Sequence, residues 1–189
     1  MNTLTFKQTN AYAMQYGILL GIWGFLALAF SILSYTHTWI GWLSNIFMLG
    51  SPVVGCLMTL RFRKEVSESP SSAFTLGRGF AFTFMLGTYA SIWITLAVFV
   101  YFQWFDHGYV YSLYEQAFST GEMRMQMARS GVSQSQIQDY LEVMRALTPG
   151  SYASTIMFLS LIADGPISLV IALIARRSEK FATRGEAHA

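Results

Sequence analysis

The strongest constraint on this chain is the absence of charge over long stretches of its sequence. No Asp, Glu, Lys or Arg occurs between Lys7 and Arg61. Charged residues make up 12% of the chain, against about 25% in soluble globular domains. Four apolar runs result, and the last of them contains a single acid, Asp164. The runs cover about residues 11–35, 39–60, 79–105 and 152–175.

Each run is long enough to cross a bilayer as a helix. A hydrocarbon core of about 30 Å requires about 20 residues at 1.5 Å per residue, and a chain in lipid must satisfy its own backbone hydrogen bonds. We therefore predict an all-α polytopic membrane protein with four transmembrane helices, folded as a single membrane domain over residues 1–189. The segment Ala27-Leu28-Ala29 resembles a signal-peptide cleavage site, but the apolar run continues past it, which favours a retained helix.

The distribution of Lys and Arg predicts the orientation of these helices. The loop at 61–78 and the tail at 176–189 are rich in basic residues, whereas the first loop contains none. The loop at 106–150 holds three basic and five acidic residues. Basic loops remain in the cytoplasm, so we predict that both termini and the 61–78 loop are cytoplasmic and that the 106–150 loop is extracytoplasmic.

This outer loop is predicted to form a helical hairpin. Ser133 and Gln136 have the spacing of a capping box, and apolar residues follow them at helical spacing up to Pro149. Aromatic residues from Tyr111 onward predict an earlier helix that continues across Gly121 toward Arg129, with Gly131 in the turn between the two. The hairpin either binds a partner or ligand or only packs on the bundle, and a stripe of Met and Tyr more often serves packing.

Small residues recur every four positions along each of the first three runs. Such stripes let helix backbones approach closely. We therefore expect Gly17, Gly21, Gly55 and Gly87 to pack helix against helix, within one bundle or between copies. The complete stripes are Ala13, Gly17 and Gly21; Ser51, Gly55 and Thr59; and Thr83, Gly87, Ser91 and Thr95.

The fourth run differs because its stripe contains an acid. Asp164 lies between Ser160 and Ser168 near the middle of the run, where an ionised carboxylate costs at least ~2.5–3.5 kcal/mol. We therefore expect Asp164 to face the bundle interior and either to carry a proton or to accept hydrogen bonds. The predicted donors are Thr83, Ser91 and Thr95, with Tyr16 as a further donor if the first helix is adjacent.

The pair Gly165-Pro166 follows Asp164 directly. Proline lacks a backbone donor and clashes with the preceding turn, so the sequence predicts a kink or break in the fourth helix. Broken helices beside a buried acid form substrate or ion sites in many transporters. The structural alternative is that Asp164 hydrogen-bonds across the kink or caps a half-helix that begins at Gly165.

The sequence indicates no other chemistry. The three His residues and Cys56 lack metal-ligand spacing, and no nucleotide-binding glycine loop is present. The Asp106-His107-Gly108 segment could form a polar corner, although such segments more often cap and turn the chain after a long helix. A net charge of +2 is too small to indicate nucleic-acid binding. We therefore predict no metal, no cofactor and no nucleic-acid partner.

Several short segments occur in a characteristic order. They are YGILLG at 16–21, FTLGRGF at 74–80, YFQWFD at 101–106, GVS at 131–133, the proline at 149 and ISLVIALIARR at 167–177. Together they resemble a family of small four-span bacterial inner-membrane proteins, the domain-of-unknown-function family DUF4199. The resemblance covers nearly the whole chain. It implies the four-span topology and an inner-membrane location, and it implies no catalytic residue.

Three functions are compatible with these features. The first is a non-enzymatic accessory or structural inner-membrane protein, which acts in the lipid bilayer through helix–helix contacts with a second copy or another membrane protein. The second is a small transporter or ligand-binding membrane protein with a polar site at Asp164 beside the helix break. The third is an enzyme acting on lipid-linked substrates, which requires Asp106, His107 or acids of the outer loop to converge. The absence of a catalytic motif favours the first function and places the enzyme last.

Overall fold

The computed structural model describes residues 3–66 and 74–176, and these residues form an all-α protein. The predicted fold class, with four long helices, is confirmed. A short 3-10 helix, Thr38–Ile40, connects the first two long helices. The α-helices in the described residues are α1 (Thr3–Ser34), α2 (Gly41–Val66), α3 (Leu76–Trp104), α4 (Tyr109–Ser119), α5 (Gly121–Arg129), α6 (Gln134–Ala146) and α7 (Pro149–Ala175).

Helices α1, α2, α3 and α7 are long and apolar enough to cross a membrane. Their lengths of 26 to 32 residues correspond to about 39–48 Å at 1.5 Å per residue, more than a hydrocarbon core of about 30 Å. Their outward surfaces expose large apolar side chains such as Trp42, Leu49 and Ile174. Apolar surface of this extent indicates a multi-pass membrane protein whose helices are covered by lipid.

The helices extend beyond the predicted span limits at one end of the bundle. Helix α1 begins at Thr3 rather than near residue 11, and α2 ends at Val66 rather than near residue 60. Arg61 and Glu65 form an ion pair of 2.9 Å one turn apart, which supports the extra turn of α2. The 61–78 segment is therefore helical at both ends. Residues 67–73 of that predicted loop and 177–189 of the predicted tail lie outside the described residues.

The chain divides into two compact units. The first unit comprises the residues up to Thr95 together with those from Ile156 onward, and it therefore contains α1, α2 and most of α3 and α7. The second unit, Leu96–Thr155, contains α4 to α6 with the adjoining turns of α3 and α7. Each unit has its own buried residues and its own cavities.

In the first unit, α1 and α3 pack through glycines of α1. A Cβ atom added to Gly17 would overlap the Cβ atom of Tyr89, and one added to Gly21 would lie 2.8 Å from the Cβ atom of Trp93. Cβ atoms do not approach other heavy atoms so closely, so only glycine permits this separation of the two backbones. We call this contact the glycine seam.

Aromatic side chains join three helices at the end of the first unit that carries the Arg61–Glu65 ion pair. The rings of Phe62 and Phe82 are buried and stack with their centroids 4.0 Å apart. The rings of Tyr12 and Phe74 lie 5.5 and 6.0 Å from that of Phe62. These four residues form the aromatic cluster, which connects α1, α2 and the start of α3.

Helix α7 contacts α2 at two levels. At the first, a Cβ atom added to Gly55 would lie 3.6 Å from Cδ1 of Ile171, an ordinary van der Waals distance, so this contact is looser than the glycine seam. At the second, Nη1 of Arg63 donates a hydrogen bond of 2.9 Å to the carbonyl oxygen of Ala175. A cation at the carboxyl end of a helix is favourable because of the helix dipole.

Of the kink or break predicted at Gly165-Pro166, the break is wrong, and the kink stays a prediction. Helix α7 is continuous from Pro149 to Ala175 with Pro166 inside it, and Asp164 therefore caps no half-helix. Proline removes one backbone hydrogen bond, but the others remain intact because an apolar environment offers the backbone no alternative partner. Pro52 lies inside α2 in the same way.

The second unit contains the predicted helices. Ser133 caps α6: its hydroxyl accepts from the backbone N–H of Gln136, and the Gln136 side chain accepts from the Ser133 N–H at 2.8 Å. The predicted capping box is thus confirmed. Gly131 turns the chain with a φ of 78°. The helix predicted to run from Tyr111 toward residue 129 is divided into α4 and α5 at Thr120.

We expect Gly17→Ala to lower the thermal stability of the protein in detergent. The added methyl group overlaps α3 at the glycine seam, and overpacking of this kind costs about 1–3 kcal/mol. Gly77→Ala is the matched control, because nothing lies within 4 Å of the added atom. Melting curves followed by tryptophan fluorescence should give a lower Tm for Gly17→Ala and an equal or higher one for Gly77→Ala. A Gly17→Ala protein as stable as the control would contradict the seam.

Candidate functional site

Asp164 of α7 lies against Gly87 of α3. A Cβ atom added to Gly87 would lie 2.5 Å from both Cγ and Oδ2 of Asp164. No side chain larger than hydrogen fits between α3 and the carboxyl group at this point. Gly87, which the sequence predicts as a packing residue, therefore also provides the space that the acid occupies.

Asp164 lines two neighbouring cavities between the long helices. The larger has a volume of about 420 Å³ and the smaller about 170 Å³. Gly87 and Ser51 line both cavities together with Asp164. The other hydroxyl-bearing residues are Ser31, Ser91 and Ser160 in the larger cavity and Thr83 and Ser168 in the smaller one. We call this arrangement the Asp164 site.

Several hydroxyl groups of the Asp164 site already donate their hydrogen to the backbone of their own helix. Ser91 donates to the carbonyl of Thr88 at 2.8 Å, and Ser51 donates to that of Phe47 at 2.9 Å. Thr83 donates within α3 at 2.9 Å. A hydroxyl has one hydrogen and two lone pairs, so in this arrangement Ser51 and Ser91 can accept further hydrogen bonds but not donate them.

The carboxyl group of Asp164 receives no hydrogen bond from the described residues. Its Oδ2 atom is buried and lacks a partner there, a situation that costs about 1–3 kcal/mol for a polar group. Neither of the two cavities is lined by Lys, Arg or His. The site therefore offers acceptor oxygens and one acid, without a compensating cation from the described part of the chain.

Of the four predicted donors, two line the site and two do not. Thr83 and Ser91 share cavities with Asp164. Tyr16 instead donates to Glu65 at 3.0 Å. The hydroxyl oxygen of Thr95 is buried without a partner among the described residues, and Thr95 lines neither cavity. None of the four donates to the acid.

Sequence reasoning missed two serines of the site. The sequence pattern places Ser51 only in a packing stripe and gives Ser31 no role, although both line the larger cavity. Ser31 nevertheless continues the spacing of Gly17, Gly21, Gly24 and Leu28 along one face of α1, and this spacing is the signal that identifies it.

The polar corner after α3 is a helix cap. The two carboxylate oxygens of Asp106 accept hydrogen bonds of 3.0 Å from the backbone N–H groups of Gly108 and Val110. Nδ1 of His107 lies 3.1 Å from the carbonyl oxygen of Phe105. The two side chains are engaged with the backbone and form no acid–base pair, as expected for a cap and turn.

The long apolar helices and the polar site between them define a multi-pass helical membrane protein. Residues 12–177 match the family model described as "Protein of unknown function (DUF4199)", and the chain belongs to this family. The resemblance inferred from the sequence segments is thus confirmed. Comparison with curated proteins and with solved structures finds no match in either set.

We expect Asp164→Asn to leave the stability unchanged or to raise it, because a buried acid without a partner costs about 1–3 kcal/mol and an amide can donate to the surrounding oxygens. Asp106→Ala is the contrasting variant: it removes a cap whose two oxygens both accept, and loss of a cap costs about 0.5–2 kcal/mol. The Tm of each variant is measured by thermal unfolding in the same detergent. An equal loss of Tm in both variants would show that Asp164 has a structural partner.

Proposed function

We propose that this protein is a non-enzymatic, ligand-binding membrane protein that binds a small ligand with a single positive charge at Asp164. The observation that carries the proposal is the buried Oδ2 atom of Asp164, which has no partner among the described residues and borders a cavity of about 420 Å³. Ligand pockets in proteins commonly span about 300–1,000 Å³.

A carboxyl group deep in a membrane helix is energetically costly. Asp164 lies well inside α7, more than three turns from either end. An acid at such a depth costs several kcal/mol, and intramembrane acids usually line substrate, ion or proton paths. A purely structural acid would be expected to have hydrogen-bond donors, and here the hydroxyls of Ser51 and Ser91 donate to the backbone instead.

The composition of the site supports a protonated amine as the ligand. The one carboxyl group matches one positive charge, and the lone pairs of Ser51 and Ser91 can accept further N–H groups. Apolar side chains form much of the remaining wall, among them Leu20, Leu28 and Ile94. A short alkyl group attached to the ammonium would contact this wall, whereas a small metal ion would leave it uncovered.

A second candidate is an accessory protein that acts through helix–helix contacts with a second copy or another membrane protein. It is favoured by the exposed apolar faces of the long helices, which include Trp42, Leu49 and Val53 on α2. However, the small residues that permit close contact lie inside the bundle, where Gly17 and Gly21 contact α3. We therefore rank it second.

We propose that the protein is not an enzyme, because no pair of groups suited to acid–base or nucleophilic chemistry converges in the described residues. The Asp164 site contains one ionisable side chain among its lining residues. Both oxygens of Asp106 are engaged with the backbone. Hydrolytic and transfer mechanisms use at least a nucleophile or base together with a second polar group.

The proposal is tested by calorimetric titration of the protein in nanodiscs with propylammonium, with sodium ion and with the neutral analogue propan-1-ol. We expect propylammonium to bind and Asp164→Asn to weaken its binding at least about tenfold, since charge-assisted hydrogen bonds contribute about 1.5–3 kcal/mol. Asp139→Asn makes the same chemical change at an exposed position of α6 and should bind like the wild type.

Three results would contradict the proposal. They are equal binding of propylammonium by the wild type and Asp164→Asn, binding of propan-1-ol as tight as that of propylammonium, and absence of binding of either cation to the wild type. Gly87→Ala adds a positional test, because the added methyl group displaces the carboxyl group. It should weaken propylammonium binding while leaving the acid present.

We also propose an inner (cytoplasmic) membrane location with both termini in the cytoplasm, supported by the excess of Lys and Arg in 61–78 and 176–189. In a Cys56→Ser background, a membrane-impermeant maleimide applied to intact cells should label Ser130→Cys, in the turn after α5, and not Thr75→Cys, just before α3. Permeabilised cells provide the labelling control. Labelling of Thr75→Cys and not of Ser130→Cys would contradict the proposed orientation.

A further inference from the structure

The second unit contains a cavity of about 310 Å³ that is separate from the Asp164 site. It lies where α3 ends, α7 begins and the helices between them meet. Its walls are formed by the end of α3, the start of α7, the segments next to them in the 106–150 loop, and helices α4 and α6. The lining residues that matter for its chemistry are Phe102, Asp106, Tyr111, Met144, Arg145 and Tyr152.

One wall of the cavity is fixed by aromatic packing. The rings of Phe102 and Tyr152 are parallel within 2° and their centroids are 4.1 Å apart. The hydroxyl of Tyr152 donates a hydrogen bond of 3.1 Å to the carbonyl oxygen of Met144. Because the wall joins α3, α6 and α7 through these contacts, the cavity is preformed.

Arg145 and Tyr111 supply hydrogen-bond donors to this cavity, and the acid that also lines it is held by the backbone. Asp106 is only 7% exposed, and both of its carboxylate oxygens accept backbone N–H groups. The exposed guanidinium of Arg145 and the hydroxyl of Tyr111 make no hydrogen bond or ion pair with the residues that the structure describes. A cation and a phenolic O–H without acceptors indicate a ligand that carries anionic oxygens.

The position of the cavity indicates which oxyanion is available. Trp104 and Phe105, at the end of α3, are 59% and 69% exposed. Aromatic residues at the ends of membrane-spanning helices lie at the level of the lipid headgroups. The anionic group at this level is the phosphate ester, which arginine binds in a two-pronged geometry.

We propose that this cavity binds a phosphate ester, with Arg145 as the cation and Tyr111 as a second donor. The aromatic wall contacts the carbon atoms next to the phosphate. Two sources supply this chemistry, a phospholipid headgroup or a soluble phosphate ester. The site is independent of the Asp164 site, and its ligand has the opposite charge.

The test uses the full-length protein in a maltoside detergent, which contains no phosphate. One arm measures the retention of added phosphatidylglycerol by native mass spectrometry, and the other measures the binding of glycerol 3-phosphate by calorimetry. Arg145→Gln removes the charge and is expected to weaken binding about ten- to a hundredfold. Arg129→Gln, an equal charge change in α5 outside the cavity lining, is the matched control. Arg145→Lys should retain part of the binding, and Tyr111→Phe should lose a smaller part than Arg145→Gln.

The two arms distinguish the sources of the phosphate. Retention of phosphatidylglycerol alone supports the site as a lipid headgroup site, and binding of glycerol 3-phosphate supports a site for the phosphate ester itself. Equal binding by the wild type and Arg145→Gln, an equal loss in Arg129→Gln, or no binding of either probe to the wild type would overturn the proposal. Arg145 is exposed, so the Tm of Arg145→Gln should match that of the wild type and exclude a folding defect.

Discussion

The close approach of α3 and α7 at Gly87 determines the polar chemistry of the first unit. A hydrogen in place of a side chain leaves room for the carboxyl group of Asp164. In a membrane, helices gain little from burying apolar surface against each other, and they associate through close packing and interhelical hydrogen bonds. The glycine seam between α1 and α3 provides such packing, and the hydroxyls of Thr59 and Thr83 provide a hydrogen bond of 3.1 Å between α2 and α3. At Asp164 the helices are close at Gly87, but no interhelical hydrogen bond from the described residues reaches the acid, which borders two cavities.

The two proposed sites differ in which hydrogen-bonding groups remain available. Around Asp164 the hydroxyl groups of Ser51 and Ser91 donate to their own helices, so that acceptors remain. In the cavity lined by Arg145 the carboxylate of Asp106 accepts from backbone N–H groups, and Arg145 and Tyr111 are the donors without a partner among the described residues.

The sequence predicts the elements of this fold well because lipid imposes a simple rule on each of them. A run without charge of sufficient length must be a helix, and the four predicted runs lie within or almost within α1, α2, α3 and α7. Periodicity also identifies which residues share a face, which places Ser160, Asp164 and Ser168 together. It does not identify which helix a face contacts. No local pattern encodes how the helices are arranged. That arrangement determines the pairing of Asp164 with Gly87, the distance of Tyr16 from Asp164 and the contribution of Ser31.

The break expected at Pro166 fails for a different reason, because one missing hydrogen bond does not end a helix whose backbone has no other partner.

The aromatic cluster has a consequence for movement of solutes along the bundle. The stacked rings of Phe62 and Phe82 close the end of the first unit near the Arg61–Glu65 ion pair. The larger cavity extends from Asp164 in the other direction, toward Ser31 and Ile94. Both rings are fully buried, so a solute at Asp164 would have to displace them to pass between α2 and α3 at this end of the unit.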